Sequence, residues 1–285
     1  MKPSETITFL LIGAQKCASS WLYEMLRQHD DIYLPKTKEL HFFDWRRHYD
    51  KGFNWYMKHF RDRAGESQVG EFTQDYMWVH HSGPEAIDPT RYYDIPEKVH
   101  AALPNIKLLV SLRNPVDRAV SAFHHNRLRG RIPVRASLRD MSEHFGILSM
   151  GRYDLQLAEW MKLYDRDRFK ILIYEEDIKP DRAKVATLNR VFDHLGVSRV
   201  KSLPKLDSRV NARLDPAFAY LNQVPVLREK YRGQQVAEKI NGLLPTRIQS
   251  WLRMDIPQAD LDFLAEEFAP HNRRLEEMLE RKLPW

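Results

Sequence analysis

The chain has 285 residues, of which 43% are hydrophobic and 11% aromatic, so it can bury a substantial core and is not extensively disordered. Lysine and arginine number 45 against 39 acidic residues, and the net charge of +6 favours anionic partners without requiring nucleic acid. Cys17 is the only cysteine, which excludes an intrachain disulfide. We expect a single α/β domain over residues 1–285, with insertions and no linker between two halves.

The first predicted element is a strand over residues 8–12, an apolar run suited to burial on both faces. This run is too short for a signal peptide or a membrane-spanning helix, so we expect a cytoplasmic enzyme. Gly13 permits a sharp turn after the strand, and Lys16 lies in that turn.

A helix is predicted directly after the lysine turn, with Ser19 and Ser20 as N-cap candidates. Its apolar face is formed by Trp21, Leu22, Met25 and Leu26. A helix N-terminus offers unpaired N–H groups and a partial positive charge, so backbone, hydroxyls and Lys16 together can hold an anion there. The alternative is an ordinary core strand and helix with a solvated lysine, in which Cys17 is a small turn residue rather than a nucleophile.

The next segment contains Glu39 and His41 within KTKELHFFD, which the proline and charges before it predict to be an irregular loop. Residues 42–60 are dense in aromatic side chains and predict a helix pair or one wall of an acceptor pocket. Most of these rings are expected in the core. Four of them are candidates for stacking on a sugar or an apolar chain: Trp45, Tyr49, Trp55 and Tyr56. Residues 68–72 predict a short strand.

A second strand-to-helix turn follows residues 106–112, IKLLVSL, the clearest buried strand of the sequence. Arg113 lies in this turn, and Pro115 suits the first position of the next helix. Apolar residues recur along that helix from position 116 to position 123, and Ser121 lies off their stripe. Residues 126–144 carry five arginines with Gly130 and Pro133 and predict an exposed basic loop, which suits an anionic acceptor or a membrane surface.

The remaining elements alternate between helix and strand: a helix from Tyr153, a strand over 169–174 and a helix over 181–195. This alternation predicts a parallel sheet with helices on both faces, which binds ligands at the carboxyl ends of its strands. Residues 200–255 predict a helical region, for which a lid, a membrane-surface helix and plain packing are alternatives. A charged amphipathic helix is predicted over 261–283.

The lysine turn differs from the nucleoside-triphosphate P-loop, GxxxxGK[ST], because it contains a single glycine and its lysine follows three residues later. No strand ends in the aspartate that would hold magnesium, so a kinase or ATPase is disfavoured. A small-molecule kinase and a non-catalytic binder of nucleic acid or another anionic ligand are the alternatives to the function developed below, although no nucleic-acid recognition motif is present. No His/Cys/Asp cluster has metal-ligand spacing, and we predict no metal.

The segment IGAQKCASSWLYEML resembles the 5′-phosphosulfate loop of sulfotransferases that use 3′-phosphoadenosine 5′-phosphosulfate (PAPS), and LLVSLRNPVDRAVSAF resembles their 3′-phosphate loop. KELHFFD, between them, is similar to the segment that carries the acceptor base in the heparan-sulfate glucosaminyl sulfotransferases and related bacterial enzymes. The resemblance spans residues 6–200 and the C-terminal segment ending in LPW. It implies a P-loop-like sheet in one sulfotransferase domain with a helical C-terminal part.

The resemblance also implies residue roles. Lys16 would bind the 5′-phosphosulfate and stabilise the oxygen that departs with the nucleotide. Arg113 and Ser121 would hold the 3′-phosphate. Glu39 would be the general base that takes the acceptor proton, and His41 is the rival base because other sulfotransferase groups use histidine. The remaining donor-binding candidates are Gly13, Gln15, Cys17, Ala18, Ser19, Ser20 and Trp21.

Three departures from the family pattern concern the acceptor and the nucleotide. Heparan-modifying members carry an arginine at the position of Ser20 and a lysine at the position of Phe72, directly after Glu71. This chain lacks both cations, so we do not expect heparan sulfate to be its acceptor. The late Arg-Lys-Gly loop is missing, and Arg209 and Arg213, near Asn211, are its candidate substitutes. We expect a PAPS-dependent O-sulfotransferase that releases adenosine 3′,5′-bisphosphate (PAP). Its expected acceptor is a hydroxyl of a sugar, glycolipid, lipid or other small molecule.

Overall fold

The computed structural model describes residues 6–79, 88–133, 135–207 and 255–285. Its centre is a sheet of five strands in the order β2-β3-β1-β4-β5, in which every neighbouring pair is parallel. The strands are β1 (Phe9–Gly13), β2 (Ile32–Tyr33), β3 (Gln68–Phe72), β4 (Lys107–Leu112) and β5 (Phe169–Ile173). The parallel sheet expected from the sequence is thereby confirmed. The sequence did not predict β2, since two residues are too few to show a periodicity.

Eight α-helices surround the sheet in the described part of the chain. They are α1 (Ser19–Leu26), α2 (Arg46–Tyr49), α3 (Gly52–Met57), α4 (Ile95–Ala102), α5 (Pro115–Leu128), α6 (Tyr153–Met161), α7 (Lys184–Leu195) and α8 (Gln258–Leu279). No helix within these described ranges combines the length and the apolar composition needed to cross a membrane.

The two faces of the sheet bury different side chains of the same strands. Leu10 and Ile12 of β1 contribute to one core, which also contains side chains of α4 and α6. Phe9 and Leu11 contribute to the opposite core, together with side chains of α1 and α7. Because helices cover both faces, the strands need apolar residues at consecutive positions, and this explains the unbroken apolar run of β1.

A third core joins α5 to the C-terminal helix α8, through residues such as Phe123 and Phe268. The buried carboxylate of Asp154 on α6 fixes α8 as well, because it accepts a hydrogen bond from Nε of Arg274 at 2.6 Å and contacts Nδ1 of His271 at 2.7 Å. The C-terminal helix is therefore part of the sheet-bearing unit.

The order of the strands creates a switch point between β1 and β4. After β1 the chain builds β2 and β3 on one side of it, and then returns to add β4 and β5 on the other side. In open parallel sheets, such a reversal leaves a crevice at the carboxyl ends of the two strands, where ligands bind. The turns that contain Lys16 and Arg113 follow β1 and β4, so both lie at this crevice.

Two sequence predictions about local structure were wrong. The N-cap position of α1 is Ala18 in a left-handed conformation, and no side chain caps the helix, so neither Ser19 nor Ser20 is an N-cap. The basic segment does not begin as an exposed loop, since α5 continues to Leu128 and buries Asn126 and Arg127. The guanidinium of Arg127 lies over the ring of Phe123 and donates to the carbonyl of Ala136, which explains how an arginine is accommodated there.

Candidate active site

Gly13 allows the lysine turn to pack closely against Met77. A Cβ atom at this position would lie 2.6 Å from Cβ of Met77, so only glycine permits this approach. Lys16 and Ala18 then adopt positive φ angles of 68° and 66°, which cost a non-glycine residue about 1–2 kcal/mol each. Backbone strain of this kind is concentrated at ligand-binding turns.

Two hydrogen bonds fasten the lysine turn to β4. The N–H of Ala14 donates to the carbonyl of Ser111 at 2.8 Å, and the Ser111 hydroxyl donates to the carbonyl of Cys17 at 2.6 Å. The Cys17 thiol is fully buried and lies 3.6 Å from the Tyr153 hydroxyl, and burial raises its pKa to about 11. A thiol with this pKa is protonated at neutral pH, which agrees with Cys17 as a turn residue rather than a nucleophile.

Lys16 lies in a strongly cationic environment. Burial lowers the pKa of its ammonium group, and the guanidinium of Arg113 lowers it further, as do Arg118 and Arg129. Among the described residues, Lys16 forms no ion pair with a carboxylate. The turn therefore concentrates positive charge that the protein's described part does not neutralise, which is the environment that an anionic ligand requires.

The second turn presents Arg113 beside the same crevice. Its guanidinium rests on the Tyr174 ring, 5.1 Å from the centroid, and pairs with half-exposed Asp117 at 3.3 Å. Its Nε is buried and has no hydrogen-bond partner in the described structure. Since α5 begins directly after this turn, Ser121 follows Asp117 by one helical turn on the same face. Arg113 precedes α5 and pairs with Asp117, so it lies on the side of the helix that carries Ser121.

The start of α5 is built rigidly. The side chain of Asn114 accepts a hydrogen bond from the N–H of Val116 at 2.9 Å and caps the helix. The N–H of Asn114 donates to Glu175 at 3.0 Å, and the hydroxyl of Tyr153 donates to the carbonyl of Arg113 at 2.9 Å. These bonds fix the main chain on which the Arg113 side chain is carried.

Glu39, His41 and Asp44 form a connected chain of polar groups in the loop between β2 and α2. Nε2 of His41 lies 3.3 Å from the Glu39 carboxylate, and Nδ1 lies 2.9 Å from the Asp44 carboxylate. Asp44 is fully buried and also accepts a hydrogen bond from Arg91 at 3.0 Å. The imidazole of His41 stacks on Trp45 with ring centroids 4.2 Å apart. The histidine is therefore held on both nitrogens and one face.

This arrangement decides the charge of His41. Burial alone would lower the pKa of the imidazole, but the hydrogen bonds to Asp44 and Glu39 and the charge of Asp44 outweigh burial and raise the pKa to about 10. The ring is thus an imidazolium at neutral pH and donates from both nitrogens. In this state it has no free lone pair to accept a proton.

His41, Asp44 and Asp75 also form a group whose possible ligand atoms all lie within 4.8 Å of one another. The spacing of these residues in the sequence did not indicate the group. Arg91 already supplies positive charge here, at 3.0 Å from Asp44 and 3.7 Å from Asp75. The protonated imidazole provides a second positive charge, so the carboxylates of Asp44 and Asp75 are balanced by the protein's own cations.

Lys38 is a site residue whose importance the sequence did not show. Its ammonium group lies 3.4 Å from the hydroxyls of both Ser19 and Ser20, and 6.0 Å from the centroid of the Phe72 ring. Ser20 and Phe72 are the positions at which the sequence lacks the cations of the heparan-modifying members. Only the fold shows that Lys38 lies between them, since the three residues are far apart in the chain.

The other predicted donor-binding residues lie along the same turn and helix. Ser19 donates to Gln74 at 2.7 Å, and Trp21 donates through Nε1 to the carbonyl of Leu206 at 2.9 Å. The side-chain oxygen of Gln15 is buried without a hydrogen-bond partner in the described structure. Arg209 and Arg213 lie outside the described residues, as does most of the predicted helical region over 200–255.

The aromatic segment supplies mainly core. Phe42, Tyr56 and Phe60 are fully buried, in agreement with the expectation that most of these rings pack inside. The prediction that Tyr56 could stack on an acceptor was therefore wrong, because its ring is not exposed. Trp45 is in contact with the His41 ring at 4.2 Å and with the Arg47 guanidinium at 4.2 Å from its centroid. These contacts occupy the indole ring and leave it less available for stacking on an acceptor.

Glu71 is a second buried carboxylate near the loop. It accepts hydrogen bonds from the hydroxyls of Tyr56 at 2.5 Å, Thr73 at 2.6 Å and Tyr76 at 2.9 Å. Burial raises its pKa to about 7, although the three hydroxyls oppose this rise. These bonds connect β3 to α3 and to the short 3-10 helix Gln74–Met77.

A parallel sheet with two cationic turns at its switch point defines an α/β protein with a candidate anion-binding site at the carboxyl ends of β1 and β4. Comparison with known proteins gives the family. Residues 7–240 match the model of the sulfotransferase domain, and the chain therefore belongs to the sulfotransferase family.

Relatives and solved structures agree with this assignment. Heparan sulfate glucosamine 3-O-sulfotransferase 6 of Homo sapiens is 26% identical over 287 residues, with 97% of this chain and 72% of the relative covered. The human 3-O-sulfotransferase 3B1 is 30% identical over 199 residues, which cover 67% of this chain and 46% of the relative. A sulfotransferase from Alicyclobacillus acidocaldarius has the same fold, with a TM-score of 0.62, 24% identity and 97% of both chains covered. The chain spans less than half of the second relative's length.

Proposed function

We propose that this sulfotransferase transfers a sulfuryl group from PAPS to an acceptor hydroxyl, with Glu39 as the general base. The observation that carries the proposal is the convergence of Lys16 and Arg113 at the switch point, where burial and mutual repulsion lower the pKa of Lys16 and the described structure supplies it no carboxylate. A ligand with phosphate groups at both ends of a nucleoside fits two separate cationic turns better than a single phosphate does.

The chain's residues fit such a donor. The turn over residues 13–18 and the start of α1 would hold the 5′-phosphosulfate by backbone N–H groups and by Lys16. Arg113 would hold the 3′-phosphate, and its buried Nε, which lacks a partner, would gain one. Ser121 would add a hydroxyl donor from the same side of α5. Arg209 and Arg213 remain candidates to replace the missing Arg-Lys-Gly loop in binding the nucleotide.

Glu39 is the better base because of its neighbour. At neutral pH the His41 imidazolium cannot accept a proton, whereas the Glu39 carboxylate, 22% exposed, can accept one from a hydroxyl that approaches through the crevice. His41 would hold the carboxylate in place by a charge-assisted hydrogen bond, and Asp44 would hold His41.

The proposed step is an in-line displacement at sulfur. The acceptor oxygen forms a new S–O bond as the bond between sulfur and the 5′-phosphate oxygen breaks, and Glu39 takes the acceptor proton. Lys16 stabilises the charge that grows on the departing phosphate oxygen. PAP leaves with both electrons of the broken bond, and the protonated Glu39 later returns its proton to water. The step balances without a metal, and the absence of a metal requirement stays a prediction.

The acceptor is proposed to be a carbohydrate or another small molecule with a hydroxyl. Two relatives carry heparan sulfate in their names, which supports a carbohydrate. Ser20 and Phe72 lack the cations of those members, so we propose an acceptor less anionic than heparan sulfate. The cytoplasmic location expected from the sequence stays a prediction.

The proposal is tested by incubating the protein with PAPS that carries labelled sulfate and a panel of glycans, glycolipids, sterols and phenols. We expect transfer to at least one class of hydroxyl and its loss, by about 100-fold or more, in Glu39→Gln. Glu266→Gln, which alters an exposed carboxylate of α8, is the matched control. Full activity of Glu39→Gln would move the base to another group. Transfer of phosphate from ATP in place of sulfate would support a small-molecule kinase and overturn the proposal.

A further inference from the structure

Lys38 carries an ammonium group that lies at the start of α1, directly beside the candidate base. Its Nζ is 3.4 Å from the hydroxyl oxygens of Ser19 and Ser20, the first two residues of that helix. Both contacts are at the long limit for hydrogen bonds and are therefore weak. Because an ammonium group has three N–H donors, two weak contacts leave it short of acceptors.

The surroundings of Lys38 withdraw it from water without supplying an ion-pair partner, although the charges of Glu39 and Glu24 oppose the lowering of its pKa by burial. Its ammonium group is 5.6 Å from the centroid of the Tyr23 ring and 6.0 Å from that of Phe72, and burial lowers the pKa of the group. Among the described residues, Lys38 forms no ion pair with a carboxylate. Removing a cation from water is unfavourable unless an anion compensates, so this position favours a ligand with negative charge.

A comparison with Lys36, two residues earlier in the same loop, shows that this environment is specific. The Lys36 side chain is 86% exposed and lies 3.9 Å from the Asp62 carboxylate, which is itself 73% exposed. Lys36 is thus an ordinary surface lysine with a weak partner. Lys38 instead points across the loop towards the phosphate-binding end of α1.

From these contacts we infer that Lys38 binds the sulfuryl group of the donor, between the start of α1 and Glu39. The inference rests on the proposed PAPS-dependent function. The start of α1 would receive the 5′-phosphate, and Glu39 would receive the acceptor proton. The sulfuryl group must lie between these two points, since it passes from the phosphate oxygen to the acceptor oxygen. Lys38 is the lysine that the fold places there, beside the His41 imidazolium that holds Glu39, whereas Lys16 would contact the bridging phosphate oxygen.

The role predicts discrimination between PAPS and PAP, because PAP has the same nucleotide and phosphates but no sulfuryl group. Competition titrations measure the affinities of both for the wild type, Lys38→Gln and the control Lys36→Gln. We expect Lys38→Gln to bind PAPS about 10-fold or more weakly and PAP within about 2-fold of the wild type. Lys36→Gln should bind both as the wild type does.

Lys38→Arg keeps the charge, and it serves as the second variant should Lys38→Gln unfold at a lower temperature. We expect it to retain a preference for PAPS that Lys38→Gln loses. An equal loss of PAPS and PAP affinity would show that Lys38 acts on the phosphate or on the turn, and unchanged affinities would show no donor contact; either result overturns the inference. A wild type that binds neither PAPS nor PAP would instead overturn the proposed function itself.

Discussion

The buried carboxylate of Asp44 allows a direct test of the charge on His41. Asp44 contacts Nδ1 of His41 at 2.9 Å, and together with Glu39 it raises the pKa of the imidazole from 6.5 to about 10 against the effect of burial. At about 1.4 kcal/mol per pKa unit, this rise corresponds to about 5 kcal/mol in favour of the charged ring. Asp44→Asn removes one of the two negative partners and should lower the pKa of His41, because the Asp44 hydrogen bond and charge are among the causes that raise it.

Long-range nitrogen–proton NMR of the imidazole rings measures this pKa, and His41→Gln assigns the signal. In the wild type the His41 signal should not titrate until well above neutral pH. Stability gives a second readout: a histidine with a raised folded pKa contributes stability that is complete below pH 6.5 and is lost as pH rises through about 10. The stability gap between the wild type and Asp44→Asn should therefore narrow across this window. A wild-type His41 that titrates near the ordinary imidazole pKa of 6.5 would refute the reasoning and restore His41 as a candidate base.

Three further predictions concern the nucleotide, the buried Glu71 carboxylate and the lysine turn. Arg113→Ala should weaken the binding of PAP about 10–100-fold and leave the binding of adenosine 5′-phosphate unchanged, as measured by calorimetry. Equal losses of affinity for the two nucleotides would contradict the 3′-phosphate assignment. In the folded state the pKa of Glu71 is raised from 4.5 to about 7, so the wild type should lose about 3 kcal/mol of its free energy of unfolding as pH rises through that window. Urea unfolding of Glu71→Gln should not show this loss. Parallel pH profiles of the two proteins would contradict the prediction. Gly13→Ala should cost about 1–3 kcal/mol in the same assay, because its Cβ would lie 2.6 Å from Met77, and a cost near zero would contradict this contact.

Most of the strands were predictable from the sequence. The strand over residues 68–72 has the predicted bounds, and β1, β4 and β5 differ from prediction by one residue at most at each end. β1 and β4 are buried on both faces, so their apolar runs leave little ambiguity. The turn residues Lys16 and Arg113 were predictable for the same reason, because each directly follows a well-defined strand.

What the sequence did not reveal depends on contacts between distant residues. The capping prediction failed because Ala18 takes the left-handed conformation that places Ser19 inside α1. The raised pKa of His41 depends on a loop fold that brings Glu39 and Asp44 to the two ring nitrogens and on the nearby charge of Asp75, and the sequence showed neither. Lys38 looked like one lysine of a charged loop, and only the packing of that loop against α1 distinguishes it from Lys36.

The central claim is that the two cationic turns form a binding site for the two phosphate-bearing ends of PAPS. Its most direct test is calorimetric titration of the wild type and Lys16→Met with PAP in the presence of a metal chelator, with ATP and magnesium as a separate titration. We predict saturable binding of PAP without metal, a loss of about 10-fold or more in Lys16→Met, and no comparable binding of ATP. A wild type that does not bind PAP, or that binds ATP with magnesium equally well, would contradict the claim.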